Sequence, residues 1–170
     1  MSRSTLFAPL TLIALATMLT ISRAHAQEDT RPGVGLSASL QTTQFDILLP
    51  IWVGDRFSIA PAFGAVWGQG QGSDIHLAVM PRFYLYRERV APYIGARIGV
   101  LLASPENGES TADILTGGAF GGEYFVDRHI SVGVESQINI TLSADKSSRF
   151  GNPGKMNINT GVALFATLYF

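Results

Sequence analysis

Ile130-Ser131-Val132-Gly133-Val134-Glu135-Ser136-Gln137-Ile138-Asn139-Ile140-Thr141-Leu142 decides the fold. Taken in steps of two, Ile130, Val132, Val134, Ser136, Ile138, Ile140 and Leu142 share one face, and Ser131, Gly133, Glu135, Gln137, Asn139 and Thr141 share the other. Alternation of this kind belongs to an extended strand, because successive side chains of a strand leave opposite faces; a helix would repeat at 3.6.

The same alternation recurs on both sides of this stretch. Ile75, Leu77, Val79, Pro81, Phe83 and Leu85 oppose Asp74, His76, Ala78, Met80, Arg82 and Tyr84; Pro92, Ile94, Ala96, Ile98, Val100 and Leu102 oppose Tyr93, Gly95, Arg97 and Gly99. The last segment sets Ile158, Thr160, Val162, Leu164, Ala166, Leu168 and Phe170 against Asn157, Asn159, Gly161, Ala163, Phe165, Thr167 and Tyr169. Eight segments follow: Arg31–Gln41, Gln44–Val53, Phe57–Trp67, Asp74–Tyr86, Ala91–Ala103, Ala112–Val126, Ile130–Ser143 and Met156–Phe170. Each approaches or exceeds the ~9 to 11 residues that a tilted strand needs to cross a bilayer. Tight charged turns (Gly54-Asp55-Arg56, Arg87 to Val90, Asp127-Arg128-His129) alternate with longer connections rich in Gly, Ser, Asn and Pro. Only the connection at Thr42-Thr43 departs from this by being short. The fold class expected is all-β: an eight-stranded, closed, antiparallel transmembrane barrel.

The apolar face should point outward. In a water-soluble sandwich the face away from the core is solvated and carries charges, whereas the polar face here is mostly Gly, Ala, Ser, Asn and Thr. Small residues suit a narrow lumen, and a continuous aliphatic face in water would be an aggregation surface. Trp52, Phe57, Tyr84, Tyr86, Tyr93, Tyr124, Phe125, Tyr169 and Phe170 lie within a few residues of the tight turns or the C-terminus, the distribution of an interfacial aromatic girdle.

Composition agrees. The chain has 170 residues, net charge −1, 46% hydrophobic and 15% charged residues. It lacks the basic excess of a nucleic-acid-binding protein and the polarity of a disordered one. The absence of cysteine excludes a disulfide scaffold, a thiolate metal site and a cysteine nucleophile. Met1–Ala26 combines Arg3, an apolar stretch from Leu6 to Leu19 and Ala24-His25-Ala26 before Gln27, the layout of a cleaved secretory signal. The barrel domain is expected over residues 27–170, as one domain with no linker.

The chain resembles the small eight-stranded outer-membrane β-barrel proteins of Gram-negative bacteria, the group of the outer membrane protein X type and the transmembrane domain of the outer membrane protein A type. The most specific element is Gly161-Val162-Ala163-Leu164-Phe165-Ala166-Thr167-Leu168-Tyr169-Phe170; weaker ones are Pro92 to Gly99 and Ile130 to Glu135. The resemblance implies a porin-like transmembrane β-barrel in the outer membrane, with a terminal strand ending on Phe170 that the barrel-assembly machinery reads. It also implies outer-membrane lipids, lipopolysaccharide and periplasmic chaperones as partners, with no cofactor and a monomeric state. Ending at the barrel, the chain departs from the outer membrane protein A type, so no peptidoglycan-binding domain is expected. Its modest loops depart from the outer membrane protein X type, which argues against an adhesive role.

Charges on the inner face are the remaining candidates for function. Asp46, Arg82, Arg97, Glu123 and Glu135 point inward by parity, and the last four are expected at one level of the barrel. Glu123 and Glu135 are expected to face each other across the Asp127–His129 turn, with Arg97 beside them. An eight-stranded barrel has room inside only for its own side chains, so this set reads as an ion-pair plug. The function expected is a structural, membrane-integrity or surface-interaction role, with a narrow gated channel as the alternative. A lipid A-modifying enzyme is less favoured: His129-Ile130-Ser131, with Glu135 as the orienting acid, places its histidine in a turn at the wrong membrane face. Asp74 and His76 lack a third metal ligand, and Gly117-Gly118 with Gly121-Gly122 precede no helix and so form no phosphate loop.

Overall fold

The computed structural model describes residues 33–41, 44–69, 72–147 and 149–170. The expected secretory signal, Met1–Ala26, and residues 27–32 after it lie outside these residues. The described strands are β1 (Gly35–Leu40), β2 (Phe45–Leu48), β3 (Ile51–Trp52), β4 (Phe57–Gly68), β5 (Gly72–Tyr84), β6 (Val90–Ser104), β7 (Thr111–Phe125), β8 (Ile130–Leu142) and β9 (Met156–Tyr169).

β2 and β3 form one stave interrupted at Pro50, which has no N–H to give the ladder. The Pro50 carbonyl still accepts from Gly35 N at 2.8 Å, and Trp52 N donates to Gly33 O at 3.0 Å, so the line of the stave is kept. Every neighbouring pair is antiparallel, in the order β2-β1-β9-β8-β7-β6-β5-β4-β3, and the β2–β4 pairing closes the ring. Eight staves therefore make a closed barrel, and no helix occurs among the described residues. The six segments from Phe57 onward match their expected limits to within two residues.

Polarity is inverted relative to a soluble protein. Ile47, Val79, Ile98, Ile114, Phe120, Val134, Ile158 and Leu164 point outward and are 43–62% exposed, while Arg82, Arg97, Glu123 and Glu135 point inward and are at most 3% exposed. This is the two-residue alternation of the sequence wrapped around an axis.

One end of the barrel carries the tight turns together with Gly33 and Phe170, the first and last described residues; the other carries the longer connections. At the turn end the β7–β8 hairpin closes with Val126 N on Ile130 O at 2.9 Å. The Asp127 carboxylate accepts from His129 N at 2.6 Å and Ile130 N at 2.8 Å, and these two bonds hold its carboxyl below the ordinary range. At the loop end, Ala144, Ser147 and Arg149 of the connection after β8 reach back to Asp113 and Asp74 at the mouth.

Candidate functional site in the barrel lumen

Parity along each strand delivers the inner side chains to an axis too narrow to solvate them, so each charge must find a partner inside. The order of residues on β8 sorts these partners into three tiers.

Nearest the turn end, Glu123 of β7 accepts hydrogen bonds from Tyr84 Oη at 2.7 Å, Tyr169 Oη at 2.8 Å and Ser131 Oγ. Around it Tyr84, Tyr93, Phe125, Phe165 and Tyr169 form a buried cluster, with Trp52 packed against it and its ring 4.5 Å from Tyr84.

In the second tier, Arg82 Nη2 donates to Glu135 Oε2 at 2.9 Å, and the same carboxylate accepts from Tyr93 Oη and Gln137 Nε2, both at 2.7 Å. The Arg82 guanidinium lies 4.8 Å from the ring centres of both Tyr93 and Phe165, in cation–π range.

In the third tier, Arg97 Nη1 donates to Gln137 Oε1 and, at 3.2 Å, to Asn139 Oδ1, and its Nη2 lies 3.9 Å from Asp46 Oδ2. Asp46 Oδ1 also accepts from Gln44 Nε2 at 2.7 Å and sits 3.1 Å from His76 Nδ1.

Glycines make room for these bulky groups. A Cβ on Gly121 would lie 2.5 Å from Val134 O and 2.8 Å from the Tyr93 hydroxyl, whereas outward-facing Gly118 and Gly122 have open space around them.

Above the tiers, buried Asp113 ties down the connection between β8 and β9. It accepts from Ala144 N at 2.8 Å and Ser147 Oγ at 2.7 Å, and lies 3.4 Å from Arg149 Nε. Arg149 also forms a two-pronged pair with Asp74 across the mouth, at 2.6 and 3.1 Å. Two cavities flank this pair, of about 210 and 420 Å3, the smaller reaching His76.

Several expectations need correction. Arg82, Arg97, Glu123 and Glu135 do not share one level. Glu123 and Glu135 do not face each other either, because Glu123 pairs with Gly133 and Glu135 with Gly121. The three-residue turn capped by Asp127 places the hairpin two residues away from the assumed register. The arginine on Glu135 is Arg82 and not Arg97, and Glu123 takes its hydrogen bonds from hydroxyl groups. Tyr84, Tyr93, Phe125 and Tyr169, expected in the outer girdle, are buried inside, because parity and not distance from the turn sets direction. Phe57 and Tyr124 are half-buried on the outer face, Tyr86 is exposed beyond the end of β5, Trp52 lies at the inner rim, and Phe170 is exposed at the end of the last strand. The network also takes in Asp113, Arg149, Gln137 and Asn139, beyond the five charges expected inside, and Ser131, a candidate only in the enzyme reading; for Gln137, Asn139 and Ser131 the signal is their inner-face parity on β8.

The residues of the enzyme reading are not brought together: His129 is exposed, Ser131 is committed to Glu123, and Glu135 to Arg82. Asp74 and His76 line the smaller cavity but are held by Arg149 and Asp46, and no three-residue metal cluster occurs among the described residues.

Neither a protein-family model nor a curated protein matches the sequence. Solved structures do. Neisserial surface protein A is similar with a TM-score of 0.55 at 15% identity, over 81% of this chain and 93% of that one. The N-terminal β-barrel domain of Pseudomonas aeruginosa OprF gives 0.51 at 11% identity, over 81% and 95%. At these identities the likeness establishes the fold, that of a small eight-stranded barrel.

Proposed function

We propose that the protein is an integral outer-membrane barrel, exported by Met1–Ala26, that serves a structural or surface-interaction role with its lumen closed by the Arg82–Glu135 and Arg97–Asp46 tiers. The observation that carries this reading is the inverted polarity: charges inside, an aliphatic band outside that only a bilayer can cover. In this orientation the tight turns are periplasmic and the long connections face outward. Outer-membrane lipids and lipopolysaccharide surround the band, periplasmic chaperones escort the chain, and the barrel-assembly machinery reads the strand ending at Phe170. The chain acts as a monomer and catalyses nothing.

Two measurements test this. Folded protein should migrate differently in detergent gels before and after boiling; a band that does not shift, from protein found in the soluble periplasm, overturns the barrel placement. In planar bilayers the closed lumen gives no discrete conductance. Reproducible single-channel steps that disappear on changing Arg82 or Arg97 would instead establish the narrow channel, a reading to which the two cavities at the loop end lend support.

A further inference from the structure

The barrel wall is lowest over β1 and β2. Gln41 N donates to Gln44 O at 2.8 Å, which turns the chain back at once; β1 stops against Leu164, and β2 pairs with β4 no further than Gly64. The flanking strands run on, β9 to Met156 and β4 to Gly68. Which backbone groups face the resulting gap follows from the ladder, since consecutive residues of an antiparallel strand direct their N–H and C=O to opposite sides. Phe170 N bonds Val34 O on the β1 side and Tyr169 N bonds His129 O on the β8 side, so even-numbered residues of β9 face β1. Met156, Ile158 and Thr160 therefore direct their amide groups into the gap. On β4, Pro61 O accepts from Leu49 N, so odd-numbered residues face β2 and Trp67 looks into the gap from the other side.

No strand of the described residues occupies the two positions between β9 and β4 there, which makes the space ~14 Å wide, or three strand spacings. Exposure on the inner face agrees with a low wall: Asn159, inward by parity, is exposed where Ala163 and Phe165 further down β9 are buried.

We propose that this notch is a docking site for an extended polypeptide strand that arrives from outside the cell and adds antiparallel to β9. Acyl chains offer no hydrogen bonds to a strand edge, whereas another strand satisfies it along its length. The alternation of β9 specifies the side chains of the partner: apolar opposite Ile158 and Thr160, where they face outward, and polar opposite Asn157 and Asn159, where they face the mouth. A second copy in the same bilayer does not fit. Copies sharing a membrane are related by rotation about its normal, which sets two β9 edges parallel and crosses them by twice the strand tilt of ~35–45°; antiparallel pairing would need one copy upside down. The proposal rests on the reading of the loop end as the outward face.

The test uses the full chain refolded in lipid nanodiscs and a fluorescent octapeptide of alternating valine and threonine, compared with a twin N-methylated on the residues that would face β9. Anisotropy should show the plain peptide binding and the twin at least tenfold weaker. Thr160→Pro removes the N–H that points into the gap and no bond to β8, and should weaken the plain peptide at least tenfold with the heat shift retained; Thr160→Val should not. Amide exchange at Ile158 and Thr160 should be fast without peptide and slow with it, while Asn159 and Gly161 stay slow throughout. Failure of the plain peptide to bind, equal binding of the twin, or equal binding to Thr160→Pro overturns the proposal. So does protection of Ile158 and Thr160 by lipid alone. Trypsin cleavage at Lys146 and Lys155 on intact cells tests the orientation separately, because it does not involve the peptide.

Discussion

Arg82→Met should cost the barrel about 3–5 kcal/mol, the loss expected when one partner of a buried ion pair is removed and the other charge remains. The structure gives the reasons for the size. Arg82 and Glu135 are 3% and 1% exposed and 2.9 Å apart, so water cannot replace the guanidinium beside the carboxylate. Tyr93 and Gln137 would still donate to Glu135 at 2.7 Å, which limits the loss but leaves the charge without a counterion. Removing both charges in Arg82→Met/Glu135→Leu ends that penalty and leaves only two neutral donors without an acceptor, at about 1 kcal/mol each. The double variant should thus recover about 2 kcal/mol relative to Arg82→Met alone. Urea unfolding in phospholipid vesicles measures the difference, followed by the fluorescence of Trp52, whose ring stacks on Tyr84 at 4.5 Å, and cross-checked by heat-dependent mobility. A double variant as unstable as Arg82→Met, or a single variant costing less than about 1 kcal/mol, would refute the view that the second tier is held by mutual neutralisation.

Gly121→Ala should destabilise by about 1–3 kcal/mol, because its Cβ falls 2.8 Å from the Tyr93 hydroxyl and displaces it from Glu135, while Gly118→Ala, open on the outside, should stay within about 0.5 kcal/mol; the same urea titration compares them. Asp113→Ala releases Ala144, Ser147 and Arg149, and limited trypsin digestion at Lys146, Arg149 and Lys155 should quicken about tenfold, the effect of ~1.4 kcal/mol on local opening. Asp127 is held ionised by two backbone N–H groups, so its folded carboxyl titrates below its unfolded one. The stability it adds is present above the unfolded value of about 4 and is lost as pH falls through the depressed folded value. Asp127→Asn should therefore be less stable than the natural protein near neutral pH, with the gap closing in acid, as read from urea midpoints across that range.

Much of this architecture could be read from residue order, for a physical reason: a strand whose two faces meet lipid and a packed lumen tolerates no slip in its alternation. The inner direction of Arg82, Arg97, Glu123 and Glu135 follows from that alone. The inner direction of Tyr84, Tyr93 and Tyr169 lies in the same pattern, on the same faces as Arg82, Arg97 and Thr167, whereas nearness to the turns alone points to a girdle. Phe165 marks the same cluster, again on the inner face of the last strand. Register was harder to see, because it depends on how many residues a turn consumes. The cue is Asp127, whose side chain caps the amides two and three residues on and so fixes a three-residue turn. The tying of Arg149 to Asp74 and Asp113 had no local signature, since it joins β5, β7 and the last connection across the mouth.

How opposite charges fill so narrow a lumen without like charges meeting is answered by a neutral residue. Gln137 stands on β8 one inward position above Glu135, and its amide is polarised along the barrel axis. Its Nε2 donates to Glu135 Oε1 at 2.7 Å, and its Oε1 accepts from Arg97. The donor end thus meets the carboxylate and the acceptor end meets the guanidinium, so Gln137 joins the second tier to the third while carrying no charge. An arginine at this position would crowd Arg82 and Arg97, and a carboxylate would sit against Glu135 and compete with Asp46 for Arg97. Only a side chain with one donor end and one acceptor end connects the two ion pairs in series. The three hydroxyls on Glu123 perform the corresponding task at the turn end, satisfying a buried carboxylate with donors that bring no charge of their own. The lumen therefore holds a hydrogen-bonded column with its charges spaced by amides and hydroxyls, and the column depends on those neutral residues as much as on the arginines and glutamates that first mark it in the sequence.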